Sequence, residues 1–412
     1  VIRRIDRNSF AFTLLLGLLA AVPTFGIDVI LPTLSATGVA LGATPSAVGA
    51  AMTVYLLSLG TTLLAYGPLS DRFGRKPIAV FGAALMIVAS IGCMFARSLP
   101  QLLIFRALQG AGASGPGTAA ITMVRDLFEG EAARAKMSYV VFAINIVPMV
   151  APTVGAALLA MGGWQTIYLA PIAAGLVVLL AIRSVSESAP IVPGARLSPA
   201  TVARDYARVL MDPVCLGNIL CNAGAAGAVF AYISGSPLFF INVLGLTPNQ
   251  YGLIFGASSL SVMGGTFVNN RLGSRGVSPS QMIIVGLTLS LLLAMLLLVA
   301  TFAGVQSISL VVVVMVGVAL SFGLISPNAV NAAMQPVPTI AGSAAAVVVF
   351  VQLLGAGSSS ALVAGLFDGH SALSMAAVMV SFCIFAIVSY AFVARPAEAR
   401  GLAIRSGQHS AG

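Results

Sequence analysis

Gly67-Pro68-Leu69-Ser70-Asp71-Arg72-Phe73-Gly74-Arg75-Lys76-Pro77 is a short charged turn between two long apolar runs, 45–69 and 77–96. A helix rises about 1.5 Å per residue, so about 20 apolar residues cross the hydrocarbon core of a bilayer. Both runs are long enough. Three basic residues in so short a turn set its side, because basic loops are retained on the cytoplasmic face. The stretch predicts two antiparallel membrane helices joined inside the cell.

Outward from this turn the pattern recurs. Six runs fall at 10–33, 45–69, 77–96, 99–124, 137–161 and 164–183. Six more fall at 213–241, 249–270, 280–303, 307–330, 340–366 and 371–394. The first follows Arg3, Arg4 and Arg7, as a secretion signal would. It is too long for one and eleven runs follow, so a retained helix is expected. With the N-terminus inside, the inner segments hold 18 of the 20 basic residues, Arg196 and Arg405 among them. Arg97 alone falls in an outer loop, and Arg106 falls within a span. Both termini are therefore expected in the cytoplasm, and the net charge of +9 anchors the protein to an anionic inner leaflet.

Composition agrees. Of 412 residues 59% are hydrophobic and only 8% charged, with a mean hydropathy of +1.04. A soluble domain carries about 25% charged residues. A soluble enzyme, a nucleic-acid binder and a disordered scaffold are excluded. Cys93, Cys215, Cys221 and Cys383 lie in apolar runs without a CxxC or Cys/His cluster, so no disulfide framework and no metal site are read. Neither lysine, Lys76 or Lys136, ends a GxxxxGK loop, so no ATP site is read.

The chain repeats itself. Thr44-Pro45 and Gly49 open span 2; Thr247-Pro248 and Gly252 open span 8, 203 residues later. Asp71-Arg72-Phe73-Gly74-Arg75 after span 2 is echoed by Asn270-Arg271-Leu272-Gly273-Ser274-Arg275 after span 8, 199 residues later. The expected fold is an all-α polytopic membrane protein, with twelve helices in two pseudo-symmetric six-helix bundles. The expected divisions are 1–184 for the first bundle, 185–212 for a cytoplasmic linker, 213–395 for the second bundle and 396–412 for a tail. Such duplicated membrane proteins bind substrate near the midplane between the halves.

The turn 67–77 resembles the loop 2–3 signature GxLxDRxGRK of the major facilitator superfamily, complete and in the same topological place. Asp28-Val29-Ile30-Leu31-Pro32 resembles the D-M-Y-L-P segment of its bicyclomycin and chloramphenicol/florfenicol resistance group. Arg106-Ala107-Leu108-Gln109-Gly110 and Val124-Arg125-Asp126-Leu127-Phe128 resemble that group's R-x-x-Q-G and V-R-D-L-F. The span-5 antiporter motif is degraded. Pro152 and Gly155 remain, while Ala151, Ala156 and Val147 stand where glycines are usual.

Two formal charges lie well inside spans, Asp28 and Arg106. Each costs about 2.5–3.5 kcal/mol on insertion scales and is usually functional. They fall at similar depth in one half and could share a polar cavity. Asp28 is read as the proton carrier and Arg106 as its coupling partner. The plainer alternatives are that Asp28 caps or snorkels near an interface, and that Arg106 serves bundle carbonyls. Gly67, Asp71, Arg72, Gly74, Arg75, Lys76, Asp126 and Arg134 are read as a conformational latch that forms in one state. The candidate substrate pocket is Thr24, Asp28, Tyr55, Asn145, Met149, Asn222, Tyr232, Asn331 and Gln352.

The resemblance implies a proton-coupled antiporter of the bacterial inner membrane, exporting small, largely apolar drugs such as phenicols or bicyclomycin by alternating access. It implies a proton gradient as energy source, no cofactor, no ATP, no enzymatic activity and a functional monomer. The expected partners are the drug, protons and the lipid bilayer, not nucleic acid. A proton-coupled metabolite exporter or importer on the same fold is the alternative. No sugar-porter P-E-S-x-R segment stands at 183–188, nor a peptide-porter E-x-x-E-R on span 1, which lowers uptake. A non-transporting membrane sensor would need neither the Asp28/Arg106 pair nor the latch.

Overall fold

A computed structural model describes residues 6–188 and 198–400. Arg3, Arg4, Arg196, Arg405 and most of the expected tail lie outside the described residues. The first membrane helix is α1, Phe10–Asp28, capped by the Ser9 side chain on the Phe12 N–H. Pro32 has no N–H to give, and the chain passes through a 3-10 turn, Leu31–Thr33, into α2, Leu34–Leu41. The helical path thus runs eight residues beyond the expected end at 33. Asp28 sits thirteen residues before its last turn closes at Leu41, near the middle of that path rather than near its outer end.

The remaining first-half helices are α3, Pro45–Phe73, α4, Arg75–Met94, α5, Leu99–Leu127, α6, Gly130–Gly162, and α7, Leu169–Arg183. The second half holds α9, Pro213–Pro237, α10, Pro248–Gly273, α11, Pro279–Phe302, α12, Ile308–Met334, α13, Ala341–Gly365, and α14, Leu373–Ser389. The repeated Thr-Pro pairs have one local cause. Thr44 and Thr247 each accept an N–H three residues on, while the proline takes the first helical position, where no donor is required. Ser278 and Gln281 form a capping box at the head of α11. Two helices end in π-helical turns, α9 at Leu238–Val243 and α14 at Tyr390–Ala394.

Eleven helical stretches among the described residues are long and apolar enough to cross a membrane. The twelfth is α5, with 29 residues. Its glycines, together with Arg106 and Gln109, dilute its hydropathy, and it compensates by burial against α4, α3 and α1 rather than facing lipid. The expected linker 185–212 contains α8, Pro199–Met211, which composition did not reveal. It is amphipathic. Val202, Tyr206 and Val209 recur at helical spacing and Val209 is fully buried.

By contact the described residues form two units. One joins the first half, up to 188, to 234–260 and 360–371; the other comprises 198–233, 261–359 and 372–400. Within the first, Val29, Leu34, Val48, Trp164 and Tyr168 share a core. Within the second, Cys221, Ile283, Ile325, Ala386 and Tyr390 do so. Within the first unit the end of the helices that bears the turn 71–76, and within the second the end that bears its sequence echo 270–275, is termed the basic end below, and the opposite end of each the far end.

Helix α5 comes close to α3 only because position 110 lacks a side chain. A Cβ at Gly110 would collide with the Tyr55 carbonyl. Gly67, by contrast, faces open space. Overpacking costs about 1–3 kcal/mol. Gly110→Val is expected to lower the thermal midpoint of the purified protein by several degrees, while Gly67→Ala leaves it level or higher. Equal midpoints for the two variants would contradict this packing.

Candidate functional site

The first unit is organised around Arg106, on the second turn of α5 and fully buried. Its Nε donates to the Ala51 carbonyl at 3.3 Å and its Nη1 to the Gly26 carbonyl at 3.1 Å. Nη1 also donates to Gln109 Oε1, one turn along the same face. Gln109 Nε2 donates to Ser90 Oγ at 2.6 Å, and Ser90 Oγ to the Met86 carbonyl at 2.6 Å. The guanidinium stacks on the Tyr55 ring at 4.3 Å, and the Tyr55 hydroxyl donates to the Pro23 carbonyl at 2.9 Å. One arginine thereby ties together α1, α3, α4 and α5. Gly26 is a requirement of this arrangement, since a Cβ there would meet the Tyr55 ring and hydroxyl.

Asp28 is two residues beyond Gly26 and only 3% exposed. Among the described residues it forms no ion pair with Arg106. Asp28 Oδ2 and Arg106 Nη2 are both buried without a hydrogen-bond partner. Tyr55 lies within electrostatic reach of both charges. The site therefore brings Asp28, Tyr55 and Arg106 to one level of the bundle, with one acceptor and one donor left over. Nine side-chain atoms among the described residues are buried without a partner, and these two alone belong to an acidic and a basic side chain. Such groups call for an explanation, a functional role or a bound water or ion among them.

The other pocket candidates scatter. Thr24 is half-buried on α1, and Asn145 is half-buried and donates to its own helix at Val141. Met149 is 41% exposed. In the second unit Asn222 Nδ2 donates to Gln352 Oε1 at 3.0 Å, joining α9 to α13, and Asn222 Oδ1 is buried without a partner. Tyr232 is buried nearly three turns further along α9. Asn331 does not join them. It is exposed in a cleft at the basic end of α12.

The turn after α3 is a built network. Arg75, 4% exposed, donates from Nε to Asp126 Oδ2 at 2.8 Å and from Nη1 to Ser70 Oγ at 2.7 Å and to Asp71. Gly74, with φ of 100°, lets the chain turn so that Arg75 begins α4. Lys76 donates to the carbonyls of Arg183 and Val185. Arg72 stacks over Phe73. Arg134 is exposed, with no ion pair among the described residues. The Gly67 carbonyl accepts the Ser70 hydroxyl at 2.9 Å, with open space where a Cβ would stand.

Glu187 was not among the expected residues. Its carboxylate accepts the N–H of Arg75 at 2.8 Å and of Lys76 at 3.1 Å. It caps the positive end of α4 from the segment after α7. No local signal announces it, because its partners lie more than a hundred residues away. Gln109 carried a signal. It stands three residues after Arg106, where a helix puts neighbours on one face.

Helices that bury polar networks in a bilayer, duplicated after a charged turn, define a multi-pass membrane transporter. The model of the Major Facilitator Superfamily matches residues 13–360, and the chain belongs to that family. It is a transporter, not an enzyme. It is 29% identical over 408 residues to an uncharacterised MFS-type transporter, YdgK, of Bacillus subtilis, covering 98% of each chain. It is 24% identical to a bicyclomycin resistance protein homologue of Haemophilus influenzae, over 96% of this chain and 99% of that one. It is 28% identical to multidrug resistance protein D of Escherichia coli, over 85% and 87%. The fold is that of a bacterial homologue of the lysosomal transporter Spinster in an inward-facing, unoccupied conformation, with a TM-score of 0.71, 16% identity, and 95% and 98% of the chains covered. A D-xylose-proton symporter matches at a TM-score of 0.70, 17% identity, and 93% and 98% coverage.

Burial orders the stability of the turn network. Asp126 is 10% exposed at its side chain and Asp71 62%. Arg75→Gln strands the buried carboxylate and should cost about 1–3 kcal/mol. Asp71→Asn loses an exposed pair and should cost about 0–1 kcal/mol. Thermal denaturation of the two variants checks the order, and a larger loss for Asp71→Asn would overturn it.

Proposed function

We propose that the protein is a proton-coupled antiporter that exports small, largely apolar drugs, with phenicols and bicyclomycin as the substrate class. It would lie in the bacterial inner membrane with both termini and the basic end in the cytoplasm. Residues 1–184 and 213–395 would act as two six-helix halves, joined by 185–212, that rock around a central pocket, each chain working alone. The proton gradient would drive export without a cofactor or ATP.

The observation that carries this reading is the pair of buried, partnerless atoms, Asp28 Oδ2 and Arg106 Nη2, at one level of the first unit. A carboxyl buried in hydrocarbon without an ion-pair partner is costly as a charge, and such a group is usually functional, which supports Asp28 as the proton carrier. The many bonds of Arg106 to carbonyls favour a fixed positioning role for it, with Asp28 as the moving charge. Thr24, Tyr55 and the Asn222–Gln352 pair would supply polar contacts to substrate, with Met149, Asn145 and Tyr232 as further wall. The names of the relatives support drugs over metabolites. Arg75, Asp126, Asp71 and Glu187 would hold the basic end in one state.

Contacts inside the first unit support a closed far end. Ser35 on α2 donates to Asn242 in the π-helical turn after α9. Backbone of α6 at Met149 and Pro152 meets Gly256 and Gly252 of α10. Alternating access requires these contacts to open.

The first test is substrate-induced collapse of a pH gradient in everted membrane vesicles, with chloramphenicol, florfenicol, bicyclomycin and an organic dication. Wild type is expected to respond to at least one of the neutral drugs, Asp28→Asn to none while still binding it, and neither to the dication. No response to any compound by folded wild type would sink the drug-export reading and turn the search to metabolites. A second test joins the far end covalently. Ser35→Cys with Asn242→Cys should stop transport when oxidised and recover it on reduction. Full transport in the cross-linked protein would exclude opening at that contact.

A further inference from the structure

At the basic end of the first unit, one guanidinium fills the space between three helices. Arg75, the first residue of α4, reaches Ser70 and Asp71 at the end of α3 and Asp126 at the end of α5. Helices α10, α11 and α12 follow one another in the second half as α3, α4 and α5 do in the first. Asn269 stands 199 residues after Ser70, and Asn328 stands six residues before the end of α12, deeper in its helix than Asp126, one residue before the end of α5. The two amides meet. Asn328 Nδ2 donates to Asn269 Oδ1 at 2.6 Å, so the junction between α10 and α12 is kept with neutral groups.

The guanidinium is not kept. The first residue of α11 is Pro279, where α4 has Arg75. Pro279 and Asn328 both line a cleft of about 540 Å³, together with Asn331, Gln335 and apolar neighbours. The cleft lies between the head of α11, the end of α12 and the start of α13, with Pro338 and Ala341 completing its wall. Arg275, the arginine of the sequence echo, is exposed in the turn that precedes α11.

The cleft wall is rich in acceptors and carries no formal charge. Asn328, Asn331 and Gln335 share one face of α12 at spacings of three and four. This is the negative end of the helix dipole, and its last turn has no basic residue. Pro336 has no N–H to offer the last carbonyls. A flat, weakly hydrated cation with several N–H donors matches amide and carbonyl oxygens arranged this way.

We infer that the cleft at the basic end of α12 is a binding site for a guanidinium group. The group has two possible sources, a free organic guanidinium compound or the side chain of Arg275. The site stands apart from the transport reading and needs no gradient to be occupied.

The test is an NMR titration of the purified full chain with methylguanidinium. Urea serves as the neutral isostere and tetramethylammonium as a cation without N–H donors. Methylguanidinium should bind and the other two should not. Asn331→Leu combined with Gln335→Leu, both exposed and tolerant of change, should weaken binding about tenfold or more. Pro279→Arg should abolish it by placing a covalent guanidinium in the cleft. Arg275→Gln separates the sources. Unchanged binding marks a site for a free ligand; binding that arises only in Arg275→Gln marks Arg275 as the occupant. Absence of binding to both wild type and Arg275→Gln would overturn the inference. So would binding that survives the double leucine variant, which remains decisive even where Pro279→Arg fails to fold.

Discussion

A guanidinium in the middle of a membrane protein is the constraint on which the first half of this chain depends. Arg106 cannot be left without acceptors in hydrocarbon, because each unmet polar group there costs several kcal/mol. Four consequences follow in the sequence. Gly26 and Ala51 turn carbonyls toward it; Gly110, one turn on, lets α3 come close; Tyr55 offers a ring face; Gln109 passes the hydrogen-bond chain on to Ser90. The glycine-rich composition of α5 is part of the same solution. A helix that must approach three others and carry a charge cannot also be strongly apolar.

The two halves share a plan but not a chemistry. The first half contains Asp28 and Arg106, both buried, and the Arg75 network, buried at Arg75 and exposed at Asp71. In the second half, Asn222–Gln352 and Asn269–Asn328 join helices through neutral amides. A carboxylate takes part there as well, since Asn218 on α9 donates to Glu398 at 2.8 Å. The contrast is between a first half that buries an unpaired carboxyl and a guanidinium and a second half joined mainly by amides.

How much of this was legible in the sequence depended on the range of the interaction. Spans were legible because hydropathy is summed over about twenty neighbouring residues. Their boundaries fell within a few residues except where Pro32 turned one helix into two and carried it on to Leu41, and where polar flanks joined the helix, at Gly130 before the expected 137 and at Arg400 beyond the expected 394. The turn network was legible in part, because Asp71, Arg72, Gly74, Arg75 and Lys76 are contiguous. Glu187 was not, since its only warrant is a contact across 112 positions. Asp28 and Arg106 stood out as charges in apolar runs, and the fold brings them to one level. It also shows Arg106 engaged mainly with carbonyls, which the spacing of residues had left open. Asn331 stands one residue past the expected boundary at 330; α12 runs on to Met334, so Asn331 falls in its last turn, where it is exposed.

The far-end contacts have the energetics that a moving gate needs. Within the first unit α6 meets α10 through glycine and backbone, at Gly252 and Gly256, and α2 meets the π-helical turn at Asn242 through one side-chain hydrogen bond. A single such bond contributes about 0.5–1.5 kcal/mol net. Close glycine packing adds dispersion, but no rotamer has to change when it parts. The basic end is different. Arg75 is engaged by two carboxylates, a hydroxyl and, through its N–H, Glu187. A protein that must visit two states needs at least one side held by contacts cheap enough to be outbid by ligand or proton binding, and a population can be moved only by the difference in affinity between states. The far end meets that requirement with backbone contacts and one hydrogen bond, while Arg75 braces the first half at its basic end.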